Sequence, residues 1–135
     1  VANVGDSRAY LYRNFQIKQL TEDHTLVQEL VKSGEITEEE AKRHPQRNIV
    51  TQSLGITLNV QIDFVRVTLK NEDTILLCSD GLSNMLEDQY IKEILGNYSD
   101  VNTQAQKAVL AANEAGGRDN ITVAIAKYLV REEVA

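Results

Sequence analysis

Thr74-Ile75-Leu76-Leu77-Cys78-Ser79-Asp80-Gly81-Leu82 is the stretch on which the reading of this chain turns. The run from Thr74 to Cys78 carries no charge and is apolar at consecutive positions. A short continuous apolar run of this kind predicts a central strand covered on both faces. It leads directly into Ser79-Asp80-Gly81, which places a carboxylate where a strand meets a tight turn, and Gly81 allows a sharp bend there. A second acidic turn, Gly117-Arg118-Asp119-Asn120, precedes the apolar run Ile121-Thr122-Val123-Ala124-Ile125. A third, Gly5-Asp6-Ser7-Arg8, interrupts strand texture between residues 1–4 and 9–12.

Working outward, Asn14 marks a turn, and residues 15–20 return as a hairpin partner of 9–12. Residues 25–43 change to helical, charged texture, with Leu26, Val27, Leu30 and Val31 at helical spacing and Ser33-Gly34 as a stop. Thr37 followed by Glu40 is a capping-box signature for a second short helix, which His44-Pro45 ends. Strand texture resumes at 49–54 and 60–69, where the alternation changes phase between Phe64 and Val65 and predicts a bulge. Helices are expected over 88–95 and 103–115, the second with a stripe of Ala105, Ala108, Val109 and Ala112, and a last strand over 121–129. Strands, a helical insert, strands, two helices and a strand make an α+β domain rather than a βαβ series.

The bulk properties narrow the function. With 135 residues the chain is one domain or part of one. A net charge of −6 and the lack of a basic stripe speak against a nucleic-acid partner. No run reaches the ~18 apolar residues of a membrane span. The single cysteine, Cys78, excludes a disulfide framework and fits a cytoplasmic setting, with the thiol as strand core. The only methionine is Met85, and the sequence opens within strand texture, so residues upstream are expected.

Three carboxylates on strand-edge turns point to a hard divalent cation, which takes oxygen ligands and retains water. Asp80 and Asp119 have the stronger claim, and Asp6 the weaker. Taken singly, each motif is better explained as turn chemistry, since Asp-Gly and Asp-Asn are common turn formers. Asn84 offers an oxygen or a helix cap. His24 and His44 lack metal-ligand spacing, and His24 reads as a local hydrogen-bonder. Arg43 and Arg47 are either phosphate contacts or a solvated face.

As an ordered set the segments resemble the metal-dependent protein Ser/Thr phosphatases, the PPM or type 2C family. They are Val4-Gly5-Asp6-Ser7-Arg8-Ala9-Tyr10, Leu20-Thr21-Glu22-Asp23-His24, His44-Pro45-Gln46-Arg47-Asn48, Cys78-Ser79-Asp80-Gly81-Leu82 and Gly117-Arg118-Asp119-Asn120-Ile121-Thr122. The segment 25–55 is most similar to bacterial members, which oppose a Ser/Thr protein kinase. The resemblance implies two antiparallel sheets packed as a sandwich, with helices on both outer faces and a helical flap at about 25–55. It implies a pair of Mn²⁺ or Mg²⁺ ions, with Asp80 and Asp119 as two of their ligands and Asp6 as a ligand of an additional third metal. The reaction implied is hydrolysis of phosphoserine and phosphothreonine in proteins by a metal-activated water. The family's phosphate-binding arginine and its bridging Asp-Gly turn have no counterpart in these residues. The chain is therefore expected to be the C-terminal portion of one such domain, with little activity when isolated. The competing expectations are a non-catalytic protein-binding module and a metal-free structural domain.

Overall fold

The computed structural model describes residues 1–133, in the order β1 (Ala2–Asn3), β2 (Arg8–Arg13), β3 (Gln16–Gln19), α1 (Leu26–Lys32), α2 (Glu38–Arg43), β4 (Asp63–Phe64), β5 (Thr74–Cys78), α3 (Asp80–Ser83), α4 (Asp88–Asn97), α5 (Val101–Glu114) and β6 (Val123–Lys127). The α+β class holds, with two antiparallel sheets and helices. The chain divides into two compact units, one of residues 1–7 and 21–65, the other of residues 8–20 and 66–135.

The second unit is built on a four-stranded sheet of order β3-β2-β5-β6. β2 and β3 form a hairpin in which Arg13 pairs with Gln16, so Asn14 and Phe15 alone make the loop. Both have positive φ, 49° and 59°, the backbone of a type I′ turn. Asparagine tolerates that region, which is why Asn14 was legible as a turn. One sheet face carries Tyr10, Leu76 and Cys78, and these pack with Leu82, Leu86, Ile91, Ile94, Leu95, Ala108 and Ala112 from the helical segments. Burying a side chain such as Leu76 completely contributes roughly 1.5–3 kcal/mol. The free thiol of Cys78 is buried in this core, as expected.

β5 is central, between β2 and β6; among the described residues its Leu76 and Cys78 face is packed, while Leu77 is 45% exposed. The packed cluster lies on the face of Leu76 and Cys78, and an apolar run does not by itself say what lies on its other side. α5 begins and ends close to its predicted bounds, yet its buried stripe is Gln104, Ala108 and Ala112. Gln104 is tolerated there because its amide donates to the carbonyls of Leu95 and Tyr98, which satisfies the end of α4.

In the first unit, α1 is capped by Thr25, and α2 has the complete Thr37–Glu40 capping box. α1 buries only Val27, and α2 buries no residue. The strand expected over 49–54 is not formed: the segment makes one bridge, between Thr25 and Val50, and Ile49, Val50 and Leu54 are exposed. Of the strand expected over 60–69, Asp63–Phe64 is formed, paired with Ala2 and Asn3 of β1. The change of phase after Phe64 is not a bulge: Val1 and Val65 exchange both backbone hydrogen bonds at 2.8 Å, which carries the β1–β4 register one residue further.

Candidate metal-binding site

Ser79 joins the two principal acidic turns. Its hydroxyl donates to the Asn120 carbonyl at 3.2 Å and accepts from the Thr122 amide at 3.0 Å. Its own amide donates to the Thr122 carbonyl at 3.0 Å. These bonds extend the β5–β6 pairing past Cys78↔Val123 and bring the turn of Asp80 against the turn of Asp119.

Gly81 makes the close approach possible. A β-carbon at this position would lie 2.1 Å from the Asn120 carbonyl oxygen, well inside van der Waals contact. The expected role for Gly81 was a sharp bend. The finding is different: Gly81 lies in α3, and its missing side chain makes room for the neighbouring turn.

Asp80 opens α3 and is half-buried, with its carbonyl accepting from the Asn84 amide at 2.9 Å. Asp119 is exposed, and its Oδ1 accepts from the Asn120 amide at 2.7 Å, which fixes the carboxylate against its own turn. Gly116 and Gly117 lead into this turn at φ 135° and 51°, and the Gly117 amide donates to the Ala112 carbonyl. The helix α5 is thus ended by a left-handed pair that only glycine adopts readily.

Asp6 belongs to the other unit, on the turn between β1 and β2, and is half-buried. Asn84 is the exposed C-cap of α3. Arg43 and Arg47 are exposed, and Arg47 donates to the His44 carbonyl. His24 is buried and hydrogen-bonded, as expected of a local hydrogen-bonder. Two participants were missed: Ser79, whose clasp depends on a pairing across the sheet, and Asp63, which bonds His24. Nothing local in the sequence distinguishes either from an ordinary turn residue.

In the same unit as Asp80 and Asp119, the Tyr10 hydroxyl donates to Asp88 Oδ1 at 2.9 Å and accepts from Arg8 at 3.0 Å. Burial pushes the Tyr10 phenol far above its ordinary range, and Arg8 opposes this in part. Tyr10 is thus a neutral hydrogen-bond donor that anchors Asp88, the first residue of α4, to the sheet.

Asp80 and Asp119 suit a hard cation: both donors are anionic oxygens on turns braced by backbone hydrogen bonds. Magnesium-like ions commonly take one or two protein carboxylates and keep several waters. Among the described residues no three His, Cys, Asp or Glu side chains are grouped as a complete cage.

The chain is similar to known proteins. Residues 1–30 match the Protein phosphatase 2C family. Over 123 residues the chain is 47% identical to the serine/threonine phosphatase stp of Listeria monocytogenes, a match covering 91% of this chain and 49% of that protein. The structure of the Streptococcus agalactiae serine/threonine phosphatase superposes with a TM-score of 0.87 at 44% identity, covering 96% of this chain and 53% of that one. The catalytic domain of the serine threonine protein phosphatase PstP, in complex with two manganese ions, superposes with a TM-score of 0.78 at 35% identity, over 96% of this chain and 53% of that one. The chain resembles protein phosphatase 2C over its first 30 residues, and over most of its length it is similar to bacterial Ser/Thr phosphatases. It spans about half the length of the relatives it matches.

Proposed function

We propose that the whole protein containing this chain hydrolyses phosphoserine and phosphothreonine in proteins, using Mn²⁺ or Mg²⁺. The observation that carries the reading is the Ser79 clasp, which sets Asp80 and Asp119 on adjoining turns. In this reading both side chains are ligands of a two-metal centre, and Asp6 is a ligand of an additional metal. Bound metals supply charge that polarises a phosphoryl oxygen and makes water nucleophilic near neutral pH. The chain's own part is to hold the carboxylates in place: Ser79 joins the turns, Gly81 lets them approach and the Asn120 amide orients Asp119.

Residues 1–135 form part of one type 2C domain, and residues 25–55 act as a flap that governs substrate choice more than chemistry. The few buried residues of α1 and α2 support that role, because lids are drawn from weakly anchored elements. The substrates are phosphoproteins made by a Ser/Thr protein kinase, in a bacterial signalling pair acting in the cytoplasm. Among the described residues no helix is long and apolar enough to cross a membrane.

The test is release of phosphate from a phosphothreonine peptide by the full-length protein. Turnover is expected with Mn²⁺, with loss on chelation and recovery on adding metal back. Metal-independent turnover would contradict the reading. Peptide binding without turnover at saturating Mn²⁺ would favour a non-catalytic binding module instead.

A further inference from the structure

We propose that His24 is a positioning residue: its Nε2–H tautomer, held by Asp63, locks the Gly5–Asp6 turn and so fixes the carboxylate of Asp6. The consequence for metal binding rests on the reading of Asp6 as a metal ligand.

The geometry determines the tautomer. The Gly5 amide donates to His24 Nδ1 at 3.1 Å, and an amide N–H has no other role to offer. Nδ1 is therefore bare, and the ring proton lies on Nε2. That nitrogen is 2.7 Å from Asp63 Oδ2, so it donates to the carboxylate. The contact is a hydrogen bond from a neutral imidazole, not an ion pair.

The backbone closes the clasp. The His24 amide donates to the Gly5 carbonyl at 3.0 Å, so one residue holds both polar groups of Gly5. The Asn3 side chain also donates to that carbonyl, at 3.3 Å. Gly5 has φ 108°, a conformation that other residues rarely adopt. Asp63 is itself placed by the sheet, as the partner of Asn3 in the β1–β4 pair. His24 is 8% exposed, and its carbonyl accepts from the Thr51 amide at 2.8 Å. A histidine that merely fills space would not need one particular ring nitrogen bare. This one does, and the turn it holds presents Asp6 one peptide further on.

Two variants in the full-length protein separate the ring nitrogens. His24→Asn keeps an acceptor at the position of Nδ1 and loses the reach to Asp63. His24→Gln keeps a donor at the position of Nε2 and leaves the Gly5 amide without an acceptor. Mn²⁺ titration by calorimetry is the measurement, with Asp6→Ala as the reference for loss of the Asp6-dependent site. Residues that orient metal ligands typically change affinity by about 10–100-fold. His24→Gln is therefore expected to weaken the Asp6-dependent Mn²⁺ by about tenfold or more, and His24→Asn by less than about threefold. Equal weakening in the two variants, with Asp6→Ala losing that ion, would overturn the role of His24 and leave the Asp6 reading intact. Unchanged Mn²⁺ binding in Asp6→Ala would overturn the Asp6 reading and, with it, the metal-positioning role. Should either His24 variant fail to fold, nitrogen NMR of the wild-type protein with Mg²⁺ decides. A proton on Nε2 and a bare Nδ1 are expected, and a proton on Nδ1 would refute the proposal.

Discussion

At the scale of single residues, the clearest constraint is the 2.1 Å approach that a β-carbon at Gly81 would make to the Asn120 carbonyl oxygen. The obstacle is backbone, so a small rotamer change cannot relieve it. Gly81→Ala must separate the two acidic turns or break the Ser79 clasp. We expect it to lower the thermal midpoint and to weaken Mn²⁺ binding by more than about tenfold, the lower bound of the range seen when ligand support is lost. Thermal unfolding and Mn²⁺ titration of the full-length variant would show it, and wild-type values in both would refute the account of this glycine. Asp80 and Asp119 stand out in the sequence as candidates because each follows a simple local rule, a carboxylate in a turn beside an apolar run. Ser79 and Asp63 were not legible, because their roles arise from bonds to residues 41 and 39 positions away.

The elements show where local signals suffice. The Thr37–Glu40 capping box, the Asn14 turn and the stop at Ser33-Gly34 are short-range chemistry, and all three formed as expected. Of the strands expected over 49–54 and 60–69, the described residues form one isolated bridge at Val50 and the short strand Asp63–Phe64, because a strand signal names no partner. Sparse anchoring predicts uneven stability. Hydrogen exchange in α1 and α2 is expected to be much faster than in β5, which is bonded on both sides. Equal protection would remove the support for a flap. A second expectation concerns Asp73, which is 2% exposed and accepts from Arg13 Nε at 2.9 Å. The Arg13 guanidinium holds its carboxyl below the usual carboxylate range. The folded value lies below the unfolded one of about 4, so the stabilisation is complete above that pH. It is lost as the pH falls through the lower folded value. Arg13→Met is therefore expected to lower the thermal midpoint at neutral pH and to flatten its decline on acidification. An unchanged acid slope would show that the pair contributes no linkage.

On the scale of the whole molecule, the class of fold was legible because the order of helical and strand textures excludes βαβ alternation. What covers each sheet face was not, as Leu77 shows. The ordered set of motifs carried the family, and the match to bacterial phosphatases over 91% of the chain bears it out. The same match covers only 49% of the relative's length, so assays belong on the full-length protein. The central claim is that two turns, joined by Ser79, hold one metal centre together. It is tested most directly by Mn²⁺ titration calorimetry on full-length Asp80→Asn, Asp119→Asn and the double variant. Each single change is expected to weaken tight binding by at least about thirtyfold, or about 2 kcal/mol. The double variant should lose little more than either single one, because ligands of one centre act as a unit. Wild-type affinity in either single variant, with the fold intact, would contradict the account.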